Sequence, residues 1–262
     1  MATGRLDPAF AKQKHLDRLL GPVKSSSARV ASRIANGIRA GDPARDFTDF
    51  LDCSVVVIAT RREDFAGVLK EMTASGLDWS GKTIAVLDGI HESLDLAPLA
   101  ALGAMTASLE AVDGFDGWLF VCEGDARACG ALRRVFGEMG SVVKEIQAGK
   151  KHCFTSGLEL ADGCILPLLM ASMECFREAG LDTAVAWSVW EKTASNAIRG
   201  YRKAGRKAWG GVSASGDEEL VRRQLRALGD AVAYRAAIEL ACATMGRDAA
   251  WISPLVAPAR AE

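Results

Sequence analysis

Apolar positions along the chain fall into runs of two different periods. Ser54 to Thr60 (SVVVIAT) is a continuous β-branched run without polar alternation, which predicts a strand covered on both faces at the centre of a parallel sheet. After Arg61 and Arg62, the residues Phe65, Val68, Leu69 and Met72 recur at helical spacing, with Gly76 placed to stop the helix. Thr83 to Leu87 predicts a second strand, a short helix follows around Leu96 to Leu102, and Ala104 to Leu109 predicts a third strand. Trp118 to Cys122 reads as another. Asp125 is placed to cap a helix carrying Ala128, Leu132, Val135, Phe136 and Met139, which Gly140 closes before Ser141 to Val143. Residues 53 to about 146 therefore predict an α/β layer.

From Gln147 on, the period is helical throughout. Phe154, Leu158, Ala161, Ile165, Leu168, Ser172, Cys175 and Ala179 form one face of a long helix, and Pro167 predicts a kink near Gly163 rather than a break. Trp187, Trp190, Ala194, Ala197 and Tyr201 form a second stripe, expected to pack into a core. Ser215 with Glu218 fits a capping box for a third helix with Val221, Leu225 and Leu228, and Ala231 to Met245 forms a fourth, closed by Gly246. The expected organisation is an α/β region over 1–146 and an all-helical domain over 147–262, with the boundary near Gln147 to Lys151.

Composition narrows the class. In 262 residues, 49% hydrophobic and 25% charged, 32 Lys+Arg face 33 Asp+Glu, which fits a globular protein of two domains, or of one domain with a helical extension, with no overall attraction for nucleic acid. The seven cysteines are odd in number and contain no C-x-x-C pair, so they read as buried thiols of a reducing compartment. Three histidines, at 15, 91 and 152, show no metal-ligand spacing, and no metal is expected. Met1 to Lys12 holds no apolar leader, and no window reaches about 18 uncharged apolar residues. A cytoplasmic protein without a membrane span is expected.

An α/β layer followed by a helical domain directs attention to G-x-G-x-x-G after an opening strand, and the chain lacks it. Residues 1–6 hold no apolar strand, so the first strand is missing or reduced. A helix-like stretch from Pro8 to Leu20 leads instead to Lys24-Ser25-Ser26-Ser27-Ala28-Arg29, where three hydroxyls and two cations meet a helix start. That group suits a phosphate such as the adenosine 2′-phosphate of NADP, or equally a solvated cap.

Several strings, in this order, resemble the two-domain Rossmann-like proteins with a helical DUF2520 C-terminal domain, relatives of 6-phosphogluconate dehydrogenase and pyrroline-5-carboxylate reductase. They are Val55-Val56-Val57-Ile58-Ala59, Leu99-Ala100-Ala101-Leu102-Gly103 followed by Ser108-Leu109, Val121-Cys122-Glu123-Gly124-Asp125, His152, Asn196, and Gly210 to Asp217 ahead of Leu225 to Leu228 and Tyr234. The resemblance implies a Rossmann-like N-terminal domain with a degenerate start, a 6-phosphogluconate-dehydrogenase-like helical C-terminal domain, and homodimerisation through that domain. It implies an NAD(P)-dependent oxidoreductase with a small-molecule substrate between the domains, beside Ser108, Asn196, Gly211 and Asp217. Relatives often carry His-Pro where this chain has Glu110-Ala111, and Arg where it has Ser215.

Ligands of parallel sheets bind beyond the carboxyl ends of the strands. Ser25 to Ser27, Arg29, Thr60 to Arg62 and Asp88 are accordingly the expected nucleotide residues, for NADP or NAD. His152, next to Lys150 and Lys151, is the first acid/base candidate, with His91 and Glu110 as the others. The basic cluster Arg199, Arg202, Lys203, Arg206 and Lys207 suits a helix C-terminus. The competing reading is a catalytically degenerate member acting as a dimeric ligand-binding or scaffold protein.

Overall fold

A computed structural model describes residues 15–112, 118–228 and 232–248. The chain divides into two compact units, the first ending at Gly157 and the second starting at Leu158. The helix-like stretch from Pro8 lies outside the described residues up to 14, and only Leu16–Leu19 is helical in the remainder.

The first unit is built on β1 (Val55–Ile58), β2 (Thr83–Leu87), β3 (Met105–Val112), β4 (Leu119–Gly124) and β5 (Val142–Glu145), side by side in that order. β1, β2 and β3 are parallel, as are β4 and β5, but β3 and β4 run antiparallel. The reason is the connection: residues 113–118 are too few for a crossover helix, so the chain can only fold back on itself.

The run expected at the sheet centre lies at its end: among the described residues β1 is the terminal strand, with Val56 and Ile58 buried and Val55 and Val57 half-buried. β2, buried at all five positions, is the strand covered on both faces. Its alternate side chains divide between two cores. Ala85 and Leu87 join Ala107, Leu109, Phe120, Leu132 and Phe136. Ile84 and Val86 join Val56, Ile58, Phe65, Val68 and Met72.

The longer helices of this unit ahead of residue 150 are α1 (Ala28–Ile38), α2 (Arg62–Ala74) and α3 (Ala126–Glu138). α2 ends as expected, with Gly76 at φ +72°, and Trp79 is locked against it by donating Nε1–H to the Met72 carbonyl at 2.9 Å. The Asp125 side chain caps α3, accepting from the N–H groups of Arg127 at 2.8 Å and Ala128 at 3.1 Å.

The helices that follow are α4 (Lys151–Ala161), α5 (Ile165–Glu178), α6 (Thr183–Ala204), α7 (Glu218–Leu228) and α8 (Val232–Met245). The expected kink at Gly163 is a full interruption by a turn over 162–164, and Pro167 falls in the first turn of α5, where its missing N–H costs nothing. Asp217, not Ser215, caps α7 by accepting from Leu220 N–H at 3.0 Å; Ser215 belongs to a separate helical turn, Val212–Ser215. The tryptophan stripe of α6 forms no core among the described residues. Trp187 is 48% exposed and Tyr201 66%, and of α6 only Ala186 is buried. Lys151–Glu178 has the length and mean hydropathy, 1.3 in its most apolar window, of a membrane-crossing segment, although its first residue is built into the α/β unit.

Candidate functional site

A cavity of about 220 Å³ opens at the carboxyl ends of β1 and β2, lined by Ala59, Thr60, Leu87, Asp88, Gly89, Glu110 and Ala111. β3 supplies Glu110 because its register sets Leu109 beside Leu87, so the next residue reaches past the end of β2. The Glu110 carboxylate lies against Gly89: a Cβ there would sit 3.5 Å from Oε2, in ordinary van der Waals contact.

Asp88 turns the chain as it leaves β2. Its Oδ1 accepts from the N–H groups of Ile90 at 2.9 Å and His91 at 2.7 Å, and its Oδ2 lies 2.6 Å from His91 Nδ1. The imidazole is stacked on Phe65 of α2, with ring centroids 3.8 Å apart and planes at 20°. With Nδ1 engaged by Asp88, Nε2 is the ring nitrogen left for another partner. Burial pushes the Asp88 carboxyl up, but the hydrogen bonds from His91 and the N–H groups, together with the charge of Lys151, outweigh it and hold the group below its ordinary value.

Beneath this pair lies Lys151, the first residue of α4, 2% exposed. Its Nζ donates to the Asp88 carbonyl, to the His91 carbonyl at 3.0 Å, to Ser108 Oγ at 2.6 Å and to the Leu109 carbonyl at 3.1 Å. Four acceptors outnumber even the three N–H groups of an ammonium, so one N–H is shared between two of them; a neutral amine would serve fewer and leave its lone pair facing oxygens, so the geometry favours the ammonium. Carboxylates of Asp88 and Glu110 lie 3.8 Å away. Burial lowers the proton affinity of Lys151, while Asp88, Glu110, Glu123 and Glu92 raise it; burial is the larger effect.

The adjoining loop is fastened by Glu123 at the end of β4. This carboxylate, 1% exposed, accepts from Ser93 N–H at 2.6 Å, Ser93 Oγ–H at 2.8 Å and Gly149 N–H at 3.0 Å. It thereby ties the segment after β2 to the approach to α4.

Of the residues expected from sequence, the structure brings together Thr60, Asp88, His91, Ser108 and Glu110. Ser108 is a brace: buried, it donates to the His91 carbonyl at 2.7 Å and accepts from Lys151. His152 is not among them. It is exposed, and only its backbone N–H approaches the region, 3.4 Å from Glu92 Oε1. One step along a helix turns a side chain by about 100°, which sends Lys151 inward and His152 to solvent. Sequence reasoning thus missed Lys151 and Glu123; the only signal was a lysine and a glutamate at element ends.

At α1, Ser27 is the helix cap, accepting from Val30 N–H at 3.3 Å, while Ser26 and Arg29 are exposed. Ser25 Oγ and Thr60 Oγ1 are buried with no hydrogen-bond partner. Arg61 is held by Asp64 at 2.9 Å and Glu63 at 3.3 Å, whereas Arg62 is exposed at the start of α2. The orphaned Thr60 hydroxyl and the exposed Arg62 guanidinium, which follow the end of β1, suit the ribose and phosphate groups of a dinucleotide. Asn196, Gly211 and Asp217 belong to the second unit, where Asn196 Oδ1 accepts from Arg199 at 2.6 Å, Gly211 has φ +81° and Asp217 caps α7. Among the described residues no group of His, Cys, Asp and Glu could hold a metal ion.

No family model and no curated protein matches this sequence. Solved structures do match over nearly the whole chain. An imine reductase from Myxococcus stipitatus in complex with NAD⁺ superposes with a TM-score of 0.69 at 15% identity, covering 98% of this chain and 99% of its own. The chain shares the fold of this structure. A reductive aminase from Aspergillus terreus, in complex with NADPH and ethyl-5-oxohexanoate, gives a TM-score of 0.59 at 14% identity, covering 95% of this chain and 86% of its own. A protein from Thermotoga maritima gives 0.60 at 18% identity, with coverages of 91% and 95%. In the shared fold a Rossmann-like α/β region precedes a helical one, of the 6-phosphogluconate-dehydrogenase type, as expected from the order of elements here.

Proposed function

We propose that this chain is an NADP- or NAD-dependent oxidoreductase that moves hydride to or from a small C=O or C=N substrate. The observation that carries the reading is the cavity at the carboxyl ends of β1 and β2, lined by Thr60, Asp88 and Glu110, with Asp88 in turn bonded to His91. The nicotinamide complexes of the imine reductase and the reductive aminase, which have this fold, support it. Ser25 to Ser27, Arg29, Thr60, Arg61, Arg62 and Asp88 are the residues proposed to hold the nucleotide, with Ser25 and Thr60 supplying hydroxyls not otherwise engaged. When bound, the cofactor supplies the hydride chemistry.

The chain's own part is to orient the substrate and handle one proton. Asp88 holds His91 Nδ1, leaving Nε2 to give or take the proton, and Glu110 sets a negative wall opposite. Ser108 acts by holding the His91 carbonyl; Asn196, Gly211 and Asp217 stay as proposed substrate residues on the resemblance alone. Membership of the DUF2520 group is proposed on the same strings.

Homodimerisation through the helical unit is proposed from its exposed apolar surface, which includes Leu166, Met170, Trp187, Ile198, Tyr201 and Leu240. A cytoplasmic location is proposed from the seven cysteines, all free thiols.

The thermal midpoint with and without millimolar NADPH, NADP⁺, NADH and NAD⁺ tests the reading, because a ligand that prefers the folded state raises it. A saturable rise with one cofactor is expected; no rise with any of the four overturns it. One observation favours a second reading, a ligand-binding dimer without turnover: the chain carries no glycine-rich dinucleotide turn. Cofactor binding with no oxidation of NADPH across ketone and imine panels is the outcome that selects it.

A further inference from the structure

We propose that Lys151 is the positioning residue of the Asp88–His91 pair, a fixed internal cation that shapes the loop after β2 and sets how tightly His91 holds its proton. The inference deepens the reading of this site as a proton-handling cavity, and rests on it only for its relevance to turnover.

The Lys151 ammonium holds the loop after β2 to β3. Two of its four acceptors are the carbonyls of Asp88 and His91, the residues at the two ends of the short turn that presents the pair. A third is Ser108 Oγ, whose own proton goes to the His91 carbonyl, so His91 is braced twice from below. The fourth is the Leu109 carbonyl of β3. An apolar residue in its place would leave these oxygens buried without a donor, and a shorter cation would not reach all three segments. Exposed lysines do none of this.

The groups that act on Lys151 are Asp88 on its own turn, Glu92 just beyond it, Glu110 on β3 and Glu123 on β4, all acidic. His91 is covered from α2 by the uncharged ring of Phe65, and its direct ionic contact is Asp88. Lys151 is therefore the cation that balances this acidic surrounding. Without it the imidazole binds its proton more tightly, because the carboxylates act unopposed.

The test uses the full chain and needs no substrate. In the parent protein, an ammonium buried under carbonyls keeps its protons long enough to give a ¹H–¹⁵Nζ cross-peak near neutral pH, assigned by its loss in Lys151→Arg. Absence of such a peak overturns the proposal, and this arm does not depend on any variant that might not fold. The imidazole titration of His91, followed by NMR in Lys151→Met, is expected to move up by about one pH unit, a tenfold gain in proton affinity. In Lys151→Arg, which keeps the charge, the midpoint stays near the parent value. An unchanged midpoint in folded Lys151→Met, or an equal shift in both variants, overturns the proposal, since a purely structural lysine would leave the titration alone or disturb it regardless of charge. If cofactors fail to bind, the functional reading falls while these titrations are untouched, so the two fail separately.

Discussion

Asp88 gathers two backbone N–H groups and one imidazole on a single carboxylate, so its ionised form is favoured in the folded chain. A carboxyl with a depressed folded value contributes stability that is fully present above its unfolded value, about 3.9, and lost as pH falls through the folded one. Asp88→Asn is expected to flatten this acid limb and cost about 1 kcal/mol at neutral pH, read from denaturant midpoints between pH 6 and pH 2.5. A second residue-level contrast concerns the thiols. Cys153 and Cys164 are exposed, Cys122, Cys129 and Cys242 are buried, and burial pushes the half-buried Cys53 thiol up. Brief alkylation should label Cys153 and Cys164 first and spare the buried three until denaturant is added; early labelling of Cys122 or Cys129 would contradict the packing around β4. Which of Lys150, Lys151 and His152 points inward was beyond the sequence, because the choice depends on the phase of α4 and on carbonyls some 40 to 60 positions earlier.

Elements whose signals are local were legible. β2, α2 and α3 follow the expected bounds closely because their periods, the Asp125 cap and the Gly76 stop all lie within or next to the element. Pairing was not legible: nothing local to SVVVIAT says which strands flank it, and the reversal between β3 and β4 is set by a short connection. Two substitutions measure these element ends. Asp125→Ala removes both acceptor contacts at the start of α3 and should cost about 1 kcal/mol in denaturant unfolding. Gly124→Ala should cost more, about 2 to 3 kcal/mol. Its φ of +127° disfavours any side chain, and a Cβ would lie 2.5 Å from the Thr106 carbonyl oxygen and 2.8 Å from Ser93 Cβ. A near-neutral Gly124→Ala would mean that the β3–β4 edge relaxes more easily than its packing implies.

For the molecule as a whole, the sequence announced an α/β region followed by helices, and announced their apolar stripes, but not what those stripes face. Trp187 and Tyr201 stay exposed in the single chain, so sedimentation is expected to give twice the chain mass, and Trp187→Glu with Tyr201→Glu to shift it toward the monomer. A monomer at micromolar concentration would remove the dimer from the picture. The first unit holds a built-in reporter of a different kind. Lys150 is exposed and Lys151 is sealed beneath the ends of β2 and β3, yet the two are adjacent in the chain. An amine-acylating reagent reaches the first at once and the second only when the start of α4 lifts away. The ratio of the two adducts on one peptide is then a clock for that opening, read by mass spectrometry, with the neighbouring lysine serving as its internal zero.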